Sequence, residues 1–166
     1  MKILFLVRHA KSSWDDPSAE DFDRPLSERG KRDAPEMAGR LRKRKMYPDL
    51  FLSSPAKRAR STAKYFCREF DCKPGEFALS PSLYLAGPEE FLEVIAGLPK
   101  HFACVALFSH NPGITAFANE LTEIRIDNIP TCGVFAVQSD TESWSGFEDS
   151  KKEFLFFDYP KLKTSG

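Results

Sequence analysis

The sequence predicts an α/β fold, a three-layer α/β/α sandwich around a mostly parallel central sheet. Two continuous apolar runs, residues 3–7 (Ile-Leu-Phe-Leu-Val) and 103–108 (Ala-Cys-Val-Ala-Leu-Phe), suit strands buried on both faces. Strand-like and helix-like segments then alternate along the chain, the pattern of a sheet with helical crossovers. The 166 residues are one domain's worth of chain, with no internal repeat and no linker. The expected domain spans 1–160, and 161–166 read as a loose polar tail.

Each element has its own signal. Residues 49–52 read as a third, shorter strand, and 132–138 and 153–158 as later strands at or near an edge. The first long helix is expected over 27–45, with Ser27 as N-cap and basic residues toward its end, complementing the helix dipole. Pro35 falls inside it and predicts a kink or a late start. The second helix is expected over 55–70, with Pro55 at its first position and Ala59, Ala63, Phe66 and Phe70 on one face. Helices over 88–98 and 112–121 complete the set. Residues 11–25 form a long loop after the first strand, a feature that is often functional in a compact domain.

Composition excludes several classes of protein. The net charge is zero, which gives no global case for binding nucleic acid or an anionic membrane. Any bound anion must therefore be held by a local cluster. No apolar run approaches the ~18 residues that span a bilayer. The N-terminal run of five apolar residues between Lys2 and Arg8 is shorter than the core of a secretory signal and reads as a buried strand. Cys67, Cys72, Cys104 and Cys132 form no C-x-x-C pair and read as reduced core thiols. A cytoplasmic location is the expectation.

Candidate chemistry gathers at strand ends. His9 follows the run 3–7 directly after Arg8, and His110 follows the run 103–108 just before Asn111-Pro112-Gly113. In open α/β sheets, ligands bind outside the carboxyl ends of the strands, so both histidines are expected on one edge of the sheet. Arg58 belongs to the first turn of the helix after residue 54, where free N–H groups favour anions. Its planar fork can grip phosphate oxygens in pairs. Lys57 and Arg60 read as a solvated basic face. Arg8, at the end of a buried strand, needs a partner, either a carboxylate or a ligand phosphate. Arg8, His9, Arg58 and His110 together suit a small dianion. Guanidinium charge near His9 disfavours imidazolium and keeps a ring nitrogen free to attack.

These segments resemble the motifs of the histidine phosphatase superfamily, also called phosphoglycerate mutase-like. Val7-Arg8-His9-Ala10-Lys11 resembles its Arg-His-Gly motif, and residues 53–59 with Thr62-Ala63 its second arginine motif. Ser109-His110-Asn111-Pro112-Gly113 is similar to its second-histidine motif, and Leu26-Ser27-Glu28-Arg29-Gly30 to the start of its first long helix. The short chain and Ala10 resemble the SixA-like branch, associated with removing phosphate from phosphohistidine. Tyr159-Pro160-Lys161 is similar to that branch's closing segment.

The resemblance implies a phosphoglycerate mutase-like fold and a covalent phosphohistidine on His9, later hydrolysed by water. Arg8, Arg58 and His110 would hold the phosphoryl group. Ser12 and Ser13 lie where the family's loop supplies further phosphate contacts. The glutamate that protonates the leaving oxygen in mutase-like members has no counterpart in residues 83–90, where Glu89 and Glu90 read as caps of a helix start. Asp15, Asp16, Asp21 or Asp23 could reach in from the loop, and none stands out. No metal and no cofactor are expected. The leading expectation is a phosphatase acting on phosphohistidine of a protein. The alternatives are a small-molecule phosphomonoesterase, a metallohydrolase using both histidines and loop aspartates, and a phosphate-binding module without turnover. The expected partner is a phosphorylated protein or a small phosphorylated substrate. Neither nucleic acid nor membrane is expected, and oligomeric state is open.

Overall fold

Alternation on the first strand sets the layers. Strand β1, Lys2–Arg8, sends Leu4 and Leu6 into one core and Phe5 and Val7 into another, as successive side chains on a strand must point to opposite faces. The computed structural model describes residues 1–162. The other strands are β2 (Leu50–Ser53), β3 (Phe77–Leu79), β4 (Cys104–Ser109), β5 (Val134–Ser139) and β6 (Lys152–Asp158). They form one sheet in the order β3-β2-β4-β1-β5-β6. The first four positions in that order are parallel, and β5 runs antiparallel to both β1 and β6.

Helices cover both faces. Helix α1 (Glu28–Lys43) and α2 (Lys57–Glu69) pack on one side through Met37, Leu41 and Phe66. Helix α3 (Pro88–Ala96) and α4 (Gly113–Leu121) pack on the other through Phe91, Ile95, Ile114 and Phe117. The Phe91 and Phe117 rings stack at 5.0 Å, joining α3 to α4. Fully burying side chains of this size contributes about 1.5–3 kcal/mol each. The three-layer, mostly parallel arrangement is the one the sequence predicts, with β5 and β6 at one edge.

Four details differ from expectation. Strand β3 was not foreseen, because its apolar run, Phe77-Ala78-Leu79, is only three residues long and two of the three are exposed. Helix α1 starts directly after Ser27, whose hydroxyl accepts from Gly30 N at 3.2 Å, so Pro35 does not delay it. Pro35 faces solvent, where water can satisfy the carbonyl one turn back. Helix α2 begins at Lys57, two residues after Pro55, and Ser54 Oγ accepts from Ala56 N at 3.2 Å ahead of it.

The fourth difference concerns the cysteines. Cys67 and Cys72 are joined as a disulfide, against the expectation that all four are reduced. The chain reverses at Asp71 (φ 48°) after α2, and Cys72 N donates to Cys67 O at 2.9 Å. This brings the two Cα atoms to 5.0 Å, within disulfide reach. A reversal just past a helix end is invisible in C-x-x-C spacing. Cys104 and Cys132 are free and buried, as read, and burial pushes both thiols up.

Arg40 ties residues 159–162 to α1. Arg40 Nη1 donates to the carbonyls of Tyr159 and Leu162, and Nη2 to that of Pro160. Residues 163–166, the rest of the expected tail, lie outside the described residues.

Candidate active site

Parallel register brings the two histidines together. Arg8 on β1 pairs with Ser109 on β4, so His9 and His110 each follow an equivalent strand end. Their ring centroids are 5.3 Å apart. Ser53 on β2 pairs with Phe108 on the other side of β4, and α2 starts four residues later, which delivers Arg58 to the same edge. The end of β1 is pinned from both sides. His9 N donates to Ser109 O at 3.1 Å, and Cys132 N donates to Arg8 O at 3.1 Å and His9 O at 3.0 Å. Thr62 locks α2 to β1: its hydroxyl accepts from Ala10 N at 2.9 Å and donates to Arg58 O at 2.8 Å.

The loop 11–25 closes over this edge. Its ends are tied by an isolated antiparallel bridge, Ser12 to Leu26, and by Ser13 N donating to Pro25 O at 2.7 Å. Lys11 O accepts from Ser27 N at 2.8 Å, and a Cβ on Gly30 would overlap that carbonyl, so glycine is required there. The same holds at Gly113, where a Cβ would overlap the Ala86 carbonyl. Between its ends, the loop makes a short 3₁₀ turn, Asp21–Asp23. Arg58 Nη2 donates to the Asp21 carboxylate at 3.1 Å and Nη1 to the Asp21 carbonyl at 2.6 Å. Tyr84 Oη donates to the same carboxylate at 2.7 Å, and its ring stands edge-on to His110 at 5.5 Å.

A cavity of about 250 Å³ opens beneath the loop. Four cations line it, Arg8, Lys11, Arg24 and Arg58, against one carboxylate, Asp21. His9, Ser12, Trp14 and Thr131 complete its wall. Arg24 lies over the Trp14 ring at 3.3 Å. His9, Arg58 and His110 are 7, 6 and 2 % exposed, so charges here are only weakly screened.

Hydrogen bonding fixes the His9 tautomer. Nδ1 lies 2.7 Å from the Ala10 carbonyl, which can only accept, so Nδ1 carries the proton and Nε2 keeps its lone pair. The His9 pKa is pushed down to about 4, first by burial, with Arg58 and Arg8 adding to it against the Ala10 bond and Asp21. His110 is pushed down to about 3, again by burial first and then by Arg58 and His9. Guanidinium charge contributes as expected from the sequence, but burial is the larger cause. Desolvation, and then Arg58, also lowers Arg8.

The site holds buried donors without partners. Arg8 Nη1 donates to the Ile129 carbonyl at 3.1 Å, and Arg8 Nε has no partner among the described residues. Arg24 Nε and His110 Nδ1 are likewise buried and unpaired, while His110 Nε2 meets Ser54 Oγ at 2.7 Å. Buried polar atoms are normally satisfied, so a cluster of orphans beside a cation-lined cavity fits an anionic ligand. Among the described residues, no group of three or more His, Cys, Asp or Glu side chains could hold a metal ion.

The structure therefore brings Arg8, His9 and Arg58 onto one cavity with Ser12, and sets the His110 ring 5.3 Å from that of His9, outside the residues that line the cavity. Ser13 is turned away, its hydroxyl accepting from Asp15 N at 3.1 Å within the loop. Of the four loop aspartates, Asp21 alone lines the cavity. Glu90 accepts from Gly87 N at 3.1 Å and caps α3, as read. Sequence reasoning missed Lys11, Arg24, Thr131, Thr62 and Tyr84. Arg24 and Lys11 carried a weak signal, flanking the two ends of one loop; Thr62 was read only as part of the second arginine motif and Tyr84 carried no signal, since their roles depend on contacts across the fold.

Fold and cavity define an α/β protein with a cation-lined cavity and a buried, neutral histidine on its wall. Comparison with known proteins gives the family. Residues 4–78 match the histidine phosphatase superfamily (branch 1). An uncharacterised protein of Mycobacterium tuberculosis is 31% identical over 165 residues, covering 93% of this chain and all of that one. An uncharacterised chloroplast protein of Arabidopsis thaliana is 33% identical over 149 residues, 85% of this chain and 68% of that one. SixA from Agrobacterium tumefaciens superposes with a TM-score of 0.80 at 29% identity, over 96% of this chain and 98% of that one. A protein histidine phosphatase SixA complexed with tungstate shares the fold, with a TM-score of 0.80 at 23% identity. The chain belongs to the histidine phosphatase superfamily, with SixA-type members among its structural neighbours, and so to the phosphatase hydrolases.

Proposed function

We propose that this protein removes the phosphoryl group from phosphohistidine on a protein, through a covalent phosphohistidine on His9. One observation carries the reading: the free Nε2 of His9 belongs to a ring that lines a cavity with four cations. In the first step, Nε2 attacks phosphorus and the substrate P–N bond breaks, with the departing imidazole nitrogen taking a proton from solvent. In the second, water attacks phosphorus, the P–N bond to His9 breaks, and inorganic phosphate leaves. Arg8 and Arg58 stabilise the charge on the equatorial oxygens in both steps. When Ser54 Oγ donates to Nε2 of the buried His110, its unpaired Nδ1 carries a proton available to the phosphoryl group.

Preference for a phosphoramidate follows from the lack of a suitable acid. Asp21 is the one carboxyl lining the cavity, and the Tyr84 and Arg58 bonds hold it below the usual carboxylate range, so it stays ionised. An alkoxide leaving group would receive no proton from it, whereas an imidazole leaves once solvent protonates it.

The test is to incubate wild type and His9→Ala with a phosphohistidine-bearing protein and to quench in base. Wild type should release phosphate and carry acid-labile phosphate on His9; His9→Ala should do neither. Equal release by both would remove His9 from the reaction, and turnover of sugar phosphates alone would make the protein a small-molecule phosphomonoesterase.

A further inference from the structure

Outside the active site, a charged groove of about 340 Å³ lies between the start of α1 and the outer face of α2. Helix α2 lines it with Lys57, Ser61, Lys64, Tyr65 and Arg68, at spacings of four, seven, eight and eleven from Lys57. Those spacings place all five on one helical stripe. Lys31 on α1 adds a fourth cation from the opposite wall, and no carboxylate lines the groove. Lys57, Lys64 and Arg68 are exposed and make no ion pair among the described residues. Only Lys31 has a neighbour of opposite charge, Glu28 at 3.4 Å on the open surface. Like charges one turn apart, as at Lys64 and Arg68, destabilise a helix. This stripe is one-signed in a chain whose net charge is zero.

The groove adjoins the active site. Pro25 and Leu26 form its end wall, and Arg24, the preceding residue, lines the catalytic cavity. Lys57 lines the groove and Arg58, the next residue, lines the cavity. The groove and the cavity are thus lined by consecutive residues at two places, 24–26 and 57–58. From Lys57 to Arg68 the helix rises about 16 Å, at ~1.5 Å per residue. That is the length of about five residues of extended chain. Tyr65 lies half-buried at the groove wall with Arg68 over its ring at 5.2 Å, giving a flat surface beside the charges.

We infer that this groove docks an acidic segment of the phosphoprotein substrate, about five residues long, while the phosphohistidine of the same protein enters the cavity of His9. The inference deepens the proposed function and rests on it for the identity of the partner; the groove's affinity for acidic chain can be measured apart from it. Charge complementarity acts mainly through attraction on approach, so the contribution belongs in KM and in salt dependence rather than in the chemical step.

The experiment compares wild type with Lys57→Glu/Lys64→Glu/Arg68→Glu, and with a control carrying the same charge change elsewhere, Lys43→Glu/Lys100→Glu/Lys151→Glu. Substrates are two phosphohistidine peptides, one with five glutamates flanking the histidine and one with five serines, and p-nitrophenyl phosphate. Fluorescein-labelled hexaglutamate is the binding probe, followed by anisotropy at low salt. The groove variant should raise KM for the glutamate peptide at least tenfold and lose the probe. Its kcat/KM on p-nitrophenyl phosphate should stay within twofold, and the control should behave as wild type. Equal KM values for all three proteins, or an equal loss in the control, would overturn the docking site and leave the phosphatase reading standing. If no phosphohistidine peptide is turned over at all, that reading fails, and the probe decides the groove alone: undiminished binding of hexaglutamate by the groove variant would overturn it.

Discussion

The Asp21 carboxylate occupies the guanidinium of Arg58, 3.1 Å from Nη2, while the carbonyl of the same residue takes Nη1. Arg58 is thus held by an anion from the loop at the point where a phosphoryl dianion is expected. An arriving phosphate meets that carboxylate as a competitor and as a like charge. Asp21→Asn should tighten inorganic phosphate binding about fivefold at low salt, of the order of ~1 kcal/mol for one removed charge nearby. The gain should shrink at high ionic strength. Isothermal titration decides it; weaker binding in the variant would make Asp21 a support for Arg58 rather than an obstacle.

Arg58 can grip two oxygens at once through its fork, and a lysine cannot. Arg58→Lys should keep the fold and the charge but lower kcat/KM on a phosphohistidine substrate by ~10²–10³, the usual loss for one transition-state donor. Steady-state kinetics with circular dichroism as a folding control checks this. Near-normal turnover would mean that charge alone is required.

Burial holds both active-site imidazoles neutral in the folded state. With folded values near 4 for His9 and 3 for His110, against an ordinary 6.5, the unfolded chain binds more protons across that window. Stability is therefore fully present above about 6.5 and falls as pH drops toward 4, by up to ~1.4 kcal/mol per pH unit for each group. Nitrogen-detected NMR at pH 5.5 should show neutral rings for both, with the His9 proton on Nδ1. A cationic His9 at that pH would contradict the burial argument. Urea titrations from pH 7 to 5 should show the matching loss.

Thr62 joins Ala10 N to the backbone of α2. Thr62→Val keeps the shape but leaves that buried N–H without an acceptor, at a cost of about 1–3 kcal/mol. Because Ala10 follows His9, kcat should fall as well. Thr62→Ser should restore both stability and rate. A valine variant with unchanged urea midpoint and unchanged kcat would show the tie to be dispensable.

Much of the fold was legible because burial writes itself into residue type. Runs such as 3–7 and 103–108 are apolar at every position, since both faces of a central strand are covered. Strand β3 was illegible for the same reason reversed: an edge strand with exposed side chains needs no such pattern. The Cys67–Cys72 pairing depended on a backbone reversal at Asp71. Tyr84 and Asp21 come from segments 63 residues apart and meet only when the loop folds over the sheet edge.

By itself the amino-acid order determined which central strands are buried, that His9 and His110 follow their ends, and that Arg58 belongs to the first turn of a helix at the same edge. These follow from local rules of periodicity, capping and charge, which act between near neighbours in the chain. Only the tertiary structure decided the register that sets His9 beside His110, the tautomer imposed by the Ala10 carbonyl, and the Asp21 clasp on Arg58. Each of those depends on distances of a few ångströms between remote segments, and the packing of the whole sheet and its helices fixes them.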